Sequence, residues 1–248
     1  YGEEMANRLL VQIGLYLRQV VGKNYIFRYG GDEFLVLLHR RGGLDPEQIA
    51  EQIQTRFKDS WLLGNQELQI NATIGIMKDK FLNTPSVQEL YYQLEYCVDQ
   101  AKRKARGSIS SVNDKMLDHL SREKEIQGIL RNEVERRGFF LEFQPIYSTR
   151  TKGFQSAEGL LRLEDPVLGR ISPAEFIPIA EKSGLIVDVG MLALEKVCRY
   201  LRQLEEQGIP YDAISLNLSP LQITDPAIVE KILKVIEETG ANPSKIRF

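Results

Sequence analysis

From Phe140 onward, short apolar strands alternate with amphipathic helices, and this alternation limits the possible folds more than any other feature of the sequence. Periodicity predicts strands over 140–147, 158–163, 213–218 and 245–248, with helices over 173–181, 192–204 and 225–238. Strands that alternate with helices are typical of parallel β-α units. The second half of the chain is therefore expected to be α/β, either a doubly wound sheet or a barrel.

The first half follows a different pattern, with a hairpin among helices. The sequence predicts helices over 6–21, 46–57 and 87–106, strands over 25–27 and 34–38, and a long strand over 68–77. A charged amphipathic helix over 114–137 follows. We therefore expect a domain over 1–113, a connecting helix over 114–137 and a second domain over 138–248. The helix could couple the two domains or serve as a plain connector.

Composition narrows the function classes. A net charge of −2 leaves no basic surface of the kind that binds a nucleic acid polymer. His39 and His119 are the only histidines, so a metal ion would be held by oxygen ligands, which favours magnesium, manganese or calcium. Cys97 and Cys198 form no metal or redox spacing pattern, and reduced thiols suit the cytoplasm. A membrane anchor upstream of this sequence is left open.

The tip of the predicted hairpin carries the first candidate site. Gly30 and Gly31 leave no side chain in the way of a triphosphate that lies against the backbone. Asp32 and Glu33 follow at once. Side chains at adjacent strand positions face opposite ways, so only one of these carboxylates can easily hold a metal that bridges phosphates. For these four residues alone, the alternative is a hairpin that binds no nucleotide and carries two acidic residues next to its turn.

The string Arg28-Tyr29-Gly30-Gly31-Asp32-Glu33-Phe34 matches the GGDEF signature, and residues 1–113 resemble the GGDEF domain of diguanylate cyclases. The segments Asn71–Ile76 and Asp99–Ala101 resemble the later strand and last helix of that family. The resemblance implies an α+β, cyclase-palm-like domain that lacks its N-terminal strand here. It also implies that Gly30, Gly31, Asp32 and Glu33 bind the nucleotide, with Asp32 as a metal ligand and candidate base.

Several departures from the GGDEF pattern indicate a degenerate domain. Asn7 stands where the family has the Asp that recognises guanine, and an amide offers a donor where guanine N–H groups need acceptors. Arg106 keeps one of two phosphate-binding cations, and the second is replaced by Ser110. The family's inhibitory product site aligns with 21–24 and is missing. The GGDEF domain is therefore expected to be regulatory.

Four segments after residue 138 carry the second candidate site. They are Phe143-Gln144-Pro145-Ile146, Ala157-Glu158-Gly159-Leu160-Leu161-Arg162, Phe176-Ile177-Pro178-Ile179-Ala180-Glu181 and Ser215-Leu216-Asn217-Leu218-Ser219. Glu158 and Asn217 lie in apolar predicted strands and need polar partners, which metal coordination would supply to both at once. A carboxylate satisfied by a neighbouring backbone or arginine is the alternative for Glu158 alone.

In their order and approximate spacing, these segments resemble the EAL-type cyclic-di-GMP phosphodiesterases. The resemblance implies a TIM-type β/α barrel with one antiparallel strand, of which residues 138–248 form the N-terminal half. It implies that Glu158 and Asn217 bind a divalent metal, with Glu158 as a catalytic residue. It also implies that Gln144, Leu160 and Arg162 contact the substrate, Arg162 through a phosphate. Mg²⁺ or Mn²⁺ would supply a water-derived nucleophile for attack on the phosphodiester.

Two departures from the EAL pattern have different weight. Gly159 stands where the family motif has Ala, a change that removes no ligand. The remaining metal-binding carboxylates of the family would lie beyond Phe248. The chain as given is therefore expected to be inactive by itself, with a barrel half that is only marginally ordered.

From these residues we expect a cyclic-di-GMP signalling protein. Its EAL domain is expected to hydrolyse cyclic-di-GMP to linear pGpG with a divalent metal. Two alternatives stay open: an active diguanylate cyclase that makes cyclic-di-GMP from GTP, and a non-enzymatic receptor for cyclic-di-GMP. The expected partners are cyclic-di-GMP, GTP at the GGDEF domain and a second copy of the protein in a homodimer.

Overall fold

The structure of the chain is a computed structural model that describes residues 2–22, 25–39, 43–82 and 86–248. The chain divides into two compact units, the first ending at Leu120 and the second beginning at Ser121. The mixture of helices and strands in both units confirms the predicted α/β class.

The first unit holds a mixture of helices and short strands. In chain order these are α1 (Glu3–Val21), β1 (Tyr25–Gly30), β2 (Glu33–Leu37), α2 (Pro46–Arg56), β3 (Trp61–Leu63), β4 (Gln66–Leu68), β5 (Ile74–Ile76), a 3-10 helix (Asp79–Phe81), α3 (Val87–Lys104) and β6 (Ile109–Ser111). The described strands form three separate two-stranded sheets. The pairs β1–β2 and β3–β4 are antiparallel, and β5–β6 is parallel.

The core of the first unit forms along one stripe of α1. Ile13, Leu17 and Val21 are buried and lie four residues apart, the spacing that places side chains on one face of a helix. They pack in one cluster with Ile53 of α2 and with Trp61. Burial of this stripe stabilises α1 more than its intrinsic helix propensity does.

The long strand predicted over 68–77 is wrong. The structure ends β4 at Leu68 and begins β5 only at Ile74. Between them, the side chain of Thr73 accepts a hydrogen bond from the backbone N–H of Gly107 at 3.2 Å. This contact ties the segment to a loop 34 residues further along the chain instead of to a strand ladder, and apolar periodicity alone does not predict such a contact.

The second unit contains most of a long helix, one larger sheet and its covering helices. Helix α4 (Asp114–Arg136) begins in the first unit and is followed by β7 (Phe140–Ser148), β8 (Gly153–Asp165), β9 (Gly169–Ile171), α5 (Pro173–Lys182), α6 (Ile186–Glu206), β10 (Ala213–Leu216), α7 (Pro220–Ile223), α8 (Ile228–Thr239), a 3-10 helix (Pro243–Lys245) and β11 (Ile246–Arg247). The main sheet has the order β11-β10-β8-β7, and β9 pairs with β8.

Strand directions in this sheet agree with the predicted architecture. Strands β8, β10 and β11 are parallel, and β7 is antiparallel to β8. The helices between β8 and β11 serve as the crossovers that parallel strands require. Within the order β11-β10-β8-β7, β7 is the one antiparallel strand, which is the arrangement that the EAL resemblance implied; off this path, β9 also pairs antiparallel with β8.

Helix α6 covers one face of the sheet. Val197 and Leu201 of α6 are fully buried in a cluster with Ile214 and Leu216 of β10, and Phe143 of β7 packs against the same cluster. Side chains in a strand alternate between faces. The residues between these apolar positions therefore lie on the opposite face of the sheet.

Helix α4 contributes to the core of the second unit. Ile126 and Leu130 are fully buried in one cluster with Phe139 and Phe176. The helix ends where Arg137 adopts a left-handed conformation with a φ of 58°. The predicted range 114–137 is therefore accurate to one residue. Residues 121–136 are part of the core of the second unit and do more than connect two domains.

Candidate functional site

The residues predicted to contact metal and substrate gather on the face of the sheet away from α6. Gln144 of β7 lies directly opposite Glu158 of β8, and opposite residues in neighbouring strands share a face. Leu160 and Arg162 follow Glu158 by two and four residues, so they lie on this face too. Asn217 stands two residues after Ser215, which is the register partner of Glu158 on β10.

Glu158 and Asn217 contact each other. The Nδ2 atom of Asn217 donates a hydrogen bond to Oε1 of Glu158 at 2.7 Å. The expectation that Asn217 lies inside an apolar strand is wrong, because β10 ends at Leu216 and Asn217 is exposed. Glu158 is half-buried in the middle of β8. Side chains from the end of one strand and the centre of another thus meet.

The segment that carries Asn217 is fixed by two further contacts. Ser219 donates from Oγ to Oε1 of Glu181 at 2.5 Å. Ser219 also caps α7 in a capping box with Gln222. These contacts hold the turn after β10 in one conformation, which defines where Asn217 stands relative to Glu158. Glu181 belongs to one of the EAL motifs, but its partner Ser219 lies 38 residues away, so no role for Glu181 follows from the sequence.

Arg162 is held by a carboxylate that the sequence analysis missed. Its Nε donates to Oε2 of Glu142 at 2.7 Å, and its Nη1 donates to the carbonyl oxygen of Leu161 at 3.0 Å. The Nη2 atom of Arg170 donates to the other oxygen of Glu142. The hydrogen bonds from Arg162 and Arg170 lower the pKa of Glu142 below its ordinary value. Strand alternation from Gln144 could have identified Glu142 as a residue of this face.

Gly159 lies on the face toward α6, where space is short. A methyl group at this position would stand 3.2 Å from side-chain atoms of Val197 and of Leu216. Gly159 therefore lets α6 and β10 approach β8 closely. This role concerns packing behind the site and agrees with the prediction that Gly159 replaces no ligand.

The donor groups of Glu158 and Asn217 fit a hard divalent cation. A carboxylate oxygen and an amide oxygen are ligands that magnesium accepts, and magnesium commonly uses one or two protein carboxylates together with waters and phosphates. Within the described ranges, no group of three or more His, Cys, Asp and Glu side chains is placed to hold a metal ion. A metal at this point would therefore use the Glu158–Asn217 pair together with further donors.

The GGDEF hairpin forms as predicted at its tip. Gly31 adopts a φ of 48°, a conformation that favours glycine, whereas Gly30 does not have a positive φ. Arg28 donates from Nε and Nη2 to the carbonyl oxygen of Gly31 at 3.1 and 2.8 Å. Asp32 lies exposed in the turn and Glu33 begins β2. The two carboxylates are therefore not in equivalent strand positions.

Glu33 is engaged by an aromatic pair. The hydroxyl of Tyr91 on α3 donates to Oε2 of Glu33 at 3.0 Å, and its ring stacks on Tyr29 with centroids 4.1 Å apart. Burial and the hydrogen bond to Glu33 raise the pKa of Tyr91 to about 12. Tyr91 thus stays a neutral donor near pH 7. Asp32 and Glu33 are both exposed, and Glu33 is the carboxylate that accepts the Tyr91 hydroxyl.

In the part of the chain that the structure describes, the remaining predicted nucleotide-binding residues are not bonded to the hairpin tip. Asn7 is exposed on α1, and Arg106 is exposed just after α3. Among the described residues, no hydrogen bond or ion pair joins either side chain to the hairpin tip. Ser110 is buried in β6. Lys23 and Asn24, in the predicted remnant of the product site, lie outside the described residues.

The described part of the chain contains no helix that is long and apolar enough to cross a membrane. Cys97 and Cys198 are both free and buried. Burial raises the pKa of both thiols above their ordinary values, so neither is a reactive thiolate near neutral pH.

Two family models match the chain. The model for the diguanylate cyclase GGDEF domain matches residues 1–108, and the model for the EAL domain matches residues 127–248. Among curated relatives, the bifunctional diguanylate cyclase/cyclic di-GMP phosphodiesterase MucR of Pseudomonas aeruginosa is 29% identical over 247 residues, which is 99% of this chain and 36% of the relative.

A second curated relative and one solved structure are also similar to this chain. The cyclic di-GMP phosphodiesterase PdeR of Escherichia coli is 27% identical over 239 residues, covering 96% of this chain and 36% of that protein. The solved complex of the PaMucR phosphodiesterase with c-di-GMP has 33% identity and a TM-score of 0.46, covering 49% of each chain. The chain spans about a third of the length of these two curated relatives.

Proposed function

Because the chain belongs to the proteins that join a GGDEF domain to an EAL domain, we propose that its EAL part binds cyclic-di-GMP and hydrolyses it to linear pGpG. We further propose that Mg²⁺ or Mn²⁺ is required and that the GGDEF part regulates this reaction. The names of MucR and PdeR support the ligand and the reaction class. Those names belong to whole proteins, of which this chain spans about a third.

The observation that carries the proposal is the contact between Glu158 and Asn217. A structural carboxylate in an apolar strand would be satisfied by the backbone or by an arginine. Glu158 is instead paired with an exposed amide at the end of β10, beside Gln144 and on the open face of the sheet. In β/α architectures, ligands bind at the carboxyl ends of parallel strands, and Asn217 follows such an end.

Each side chain of the open face has a definable task in this reaction. The carboxylate of Glu158 supplies negative charge to bind a cation, and the amide oxygen of Asn217 adds a neutral ligand. Gln144, directly opposite Glu158, can bond the dinucleotide through its amide. Arg162 can donate to a phosphate oxygen by charge-assisted hydrogen bonds. When bound, the divalent ion would polarise the phosphodiester and lower the pKa of a water molecule.

The regulatory role of the GGDEF part is supported by its altered nucleotide residues. Asn7 presents a donor toward guanine N–H groups if it occupies the recognition position. Glu33 already accepts the hydroxyl of Tyr91. Asp32 and the backbone of Gly30 and Gly31 are still accessible at the tip, so GTP binding without efficient synthesis is the behaviour we propose for this part.

A metal titration of full-length protein with Glu158→Gln tests the proposal. If Glu158 binds the metal, loss of its charge should lower cyclic-di-GMP hydrolysis by about ten- to a hundredfold or more, with a shift toward higher Mg²⁺ or Mn²⁺. The melting temperature without metal should change little, because glutamine keeps the shape of the side chain. Glu206→Gln, at the exposed end of α6, is the matched control and should leave hydrolysis unchanged.

The outcomes distinguish the proposed phosphodiesterase from the two alternative functions, a receptor and an active cyclase. Equal hydrolysis by wild type and Glu158→Gln at every metal concentration would refute the metal-ligand role. Tight binding of cyclic-di-GMP with no turnover in any metal would identify a receptor. Steady synthesis of cyclic-di-GMP from GTP would identify an active cyclase.

A further inference from the structure

Two arginines on the open face of the sheet share a single carboxylate. Arg162 and Arg170 donate to the two different oxygens of Glu142. Since both oxygens belong to one carboxylate, the two guanidinium groups must be neighbours. Arg170 is the register partner of Glu164 on β8, and Glu164 lies two residues after Arg162, so both arginines stand on one face.

We propose that Arg170 is a second phosphate-contacting residue for cyclic-di-GMP and that Glu142 positions Arg170 beside Arg162. This inference rests on the function proposed above, because it names a further contact to the same ligand. The signature residues of the EAL resemblance include Arg162 but neither Glu142 nor Arg170. The two residues are therefore an addition that this particular structure makes to the site.

The two arginines have more hydrogen-bond donors than the acceptors they contact. Each guanidinium carries five N–H donors in a fixed fork. Among the described residues, Arg162 donates to Glu142 and to the carbonyl oxygen of Leu161, and Arg170 donates to Glu142. Glu164, the exposed register partner of Arg170, is a second carboxylate on this face, but among the described residues the ion pairs of Arg162 and Arg170 are with Glu142. A phosphate oxygen pair is the acceptor that such planar forks bind best.

Arg170 is oriented by more than one contact. Its guanidinium carbon lies 5.6 Å from the ring centroid of Phe140, which is the register partner of Arg162 on β7. An ordinary surface ion pair holds neither side chain in one place and contributes little. Here Phe140 and Glu142 orient Arg170 together, so part of the entropy cost of fixing it is met before a ligand binds.

The position of the arginine pair also suits one end of a dinucleotide. Arg162 lies four residues beyond Glu158, which is about 13 Å along a strand. The Glu158–Asn217 pair and the arginine pair can therefore contact different parts of the same ligand. Arg170 should accordingly affect how well cyclic-di-GMP binds, and have little effect on the rate of its cleavage.

The test uses full-length protein, cyclic-di-GMP as the probe, and the variants Arg170→Gln and Glu142→Gln. Arg170→Gln should raise KM by about tenfold, the loss of one charge-assisted contact, while kcat stays within about twofold. It should also weaken the dependence of KM on salt. Glu142→Gln should raise KM as well, and its effect should shrink in the Arg170→Gln background because Glu142 acts through Arg170.

Glu195 provides a matched control. Like Glu142, it bridges two arginines, Arg137 and Arg199, but it lies on α6 away from the open face. Glu195→Gln should leave KM and its salt dependence unchanged. Arg170→Lys should reverse part of the rise in KM seen in Arg170→Gln, because lysine restores the charge without the planar fork of donors.

The possible results distinguish this inference from the proposed function. If wild type hydrolyses cyclic-di-GMP and Arg170→Gln has the same KM and salt dependence, the second phosphate contact is refuted and the phosphodiesterase stands. If Glu142→Gln binds cyclic-di-GMP more tightly than wild type, Glu142 competes with the ligand, and its positioning role is refuted. If wild type neither binds nor hydrolyses cyclic-di-GMP, both proposals fall together.

Discussion

At the scale of single residues, close approach between elements depends on positions that lack a side chain. Gly190 of α6 lies against the amide of Gln222, which is almost fully buried and completes the capping box of α7. The Nε2 atom of Gln222 has no hydrogen-bond partner in the described part of the chain. Gln222 is thus held by packing on one side and by its bond to Ser219 on the other.

Gly190→Ala should destabilise the second unit by about 1–3 kcal/mol, because the added methyl group overlaps the Gln222 amide and forces it out of the capping box. Chemical denaturation measures the change. Gly128→Ala is the control, since a methyl group at that exposed position of α4 meets nothing within 4 Å. It should stabilise the protein by about 0.5–1 kcal/mol. Equal effects of the two substitutions would contradict the packing described for Gly190.

Glu142 makes stability depend on pH in a defined window. Its pKa is lower in the folded protein than in the unfolded chain because Arg162 and Arg170 bond the carboxylate. A carboxylate whose pKa is lowered by folding stabilises the folded protein. This stabilisation is fully present above the pKa of the unfolded chain, about 4.3 for glutamate, and is lost as pH falls through the pKa of the folded protein. The difference in melting temperature between wild type and Glu142→Gln should therefore be constant near pH 7 and vanish at strongly acidic pH. A difference that grows toward acidic pH would contradict this ion cluster.

At the scale of elements, helix α4 shows what periodicity can and cannot predict. Its bounds follow from a continuous amphipathic pattern and were predicted to within one residue. The depth to which it is buried depends on residues of other elements, such as Leu163 and Phe176, which lie far beyond its end in the sequence. Strand alternation likewise predicts that Glu158 and Arg162 share a face. The bond between Glu142 and Arg162 forms only when β7 and β8 pair, and the bond between Glu181 and Ser219 only when α5 meets the turn after β10. Both bonds join residues that are far apart in sequence.

Local sequence patterns also explain why a strand was wrongly predicted over 68–77 and why the strand before Asn217 was predicted to continue through it. The segment between Leu68 and Ile74 is apolar enough to resemble a strand, but it lacks a continuous ladder partner in the structure. Asn217 follows directly after the four-residue strand Ala213–Leu216, so the apolar pattern alone extended the predicted strand through it. The motif still identified both Glu158 and Asn217 because their chemistry, rather than their secondary structure, carried the resemblance.

Leu130→Ala should lower the free energy of unfolding by about 2–5 kcal/mol, because Leu130 is fully buried among the large side chains of the second core. Differential scanning calorimetry checks the loss. Leu233→Ala on α8 is the control, as Leu233 is more than half exposed and its truncation should cost less than about 0.5 kcal/mol. An equally small effect at Leu130 would show that α4 is a connector and no part of the core.

At the scale of the whole molecule, two nucleotide-related domains are joined in one chain with different degrees of preservation. The resemblance to GGDEF and EAL domains, drawn from motifs, is confirmed by the family models over 1–108 and 127–248. The hairpin of the first domain keeps its signature, while Asn7 and Ser110 depart from it. In the second domain Gln144, Glu158, Arg162 and Asn217 are all present on one face. This contrast supports the proposal that turnover belongs to the second domain and regulation to the first.

Full-length protein should make little cyclic-di-GMP from GTP, and Asn7→Asp should raise GTP affinity by about tenfold by restoring an acceptor for guanine. Equilibrium binding of labelled GTP and product analysis measure the two effects. Asn132→Asp, an equivalent charge change on exposed α4, should leave GTP affinity unchanged. Rapid synthesis by wild type would overturn the regulatory role, and an unaltered affinity in Asn7→Asp would show that the alignment of this helix is wrong.

The antiparallel direction of β7 has a consequence for how strain could reach the site. Because β7 runs opposite to β8, its first residue pairs with Arg162 near the carboxyl end of β8. The covalent path from the end of α4 therefore arrives at the rim where the open face carries its arginines, only a few residues from Glu142. A parallel first strand would have delivered the chain to the far rim. A mechanical force on α4 would therefore act on Glu142 and on the arginines proposed to bind phosphate before it acted on Glu158.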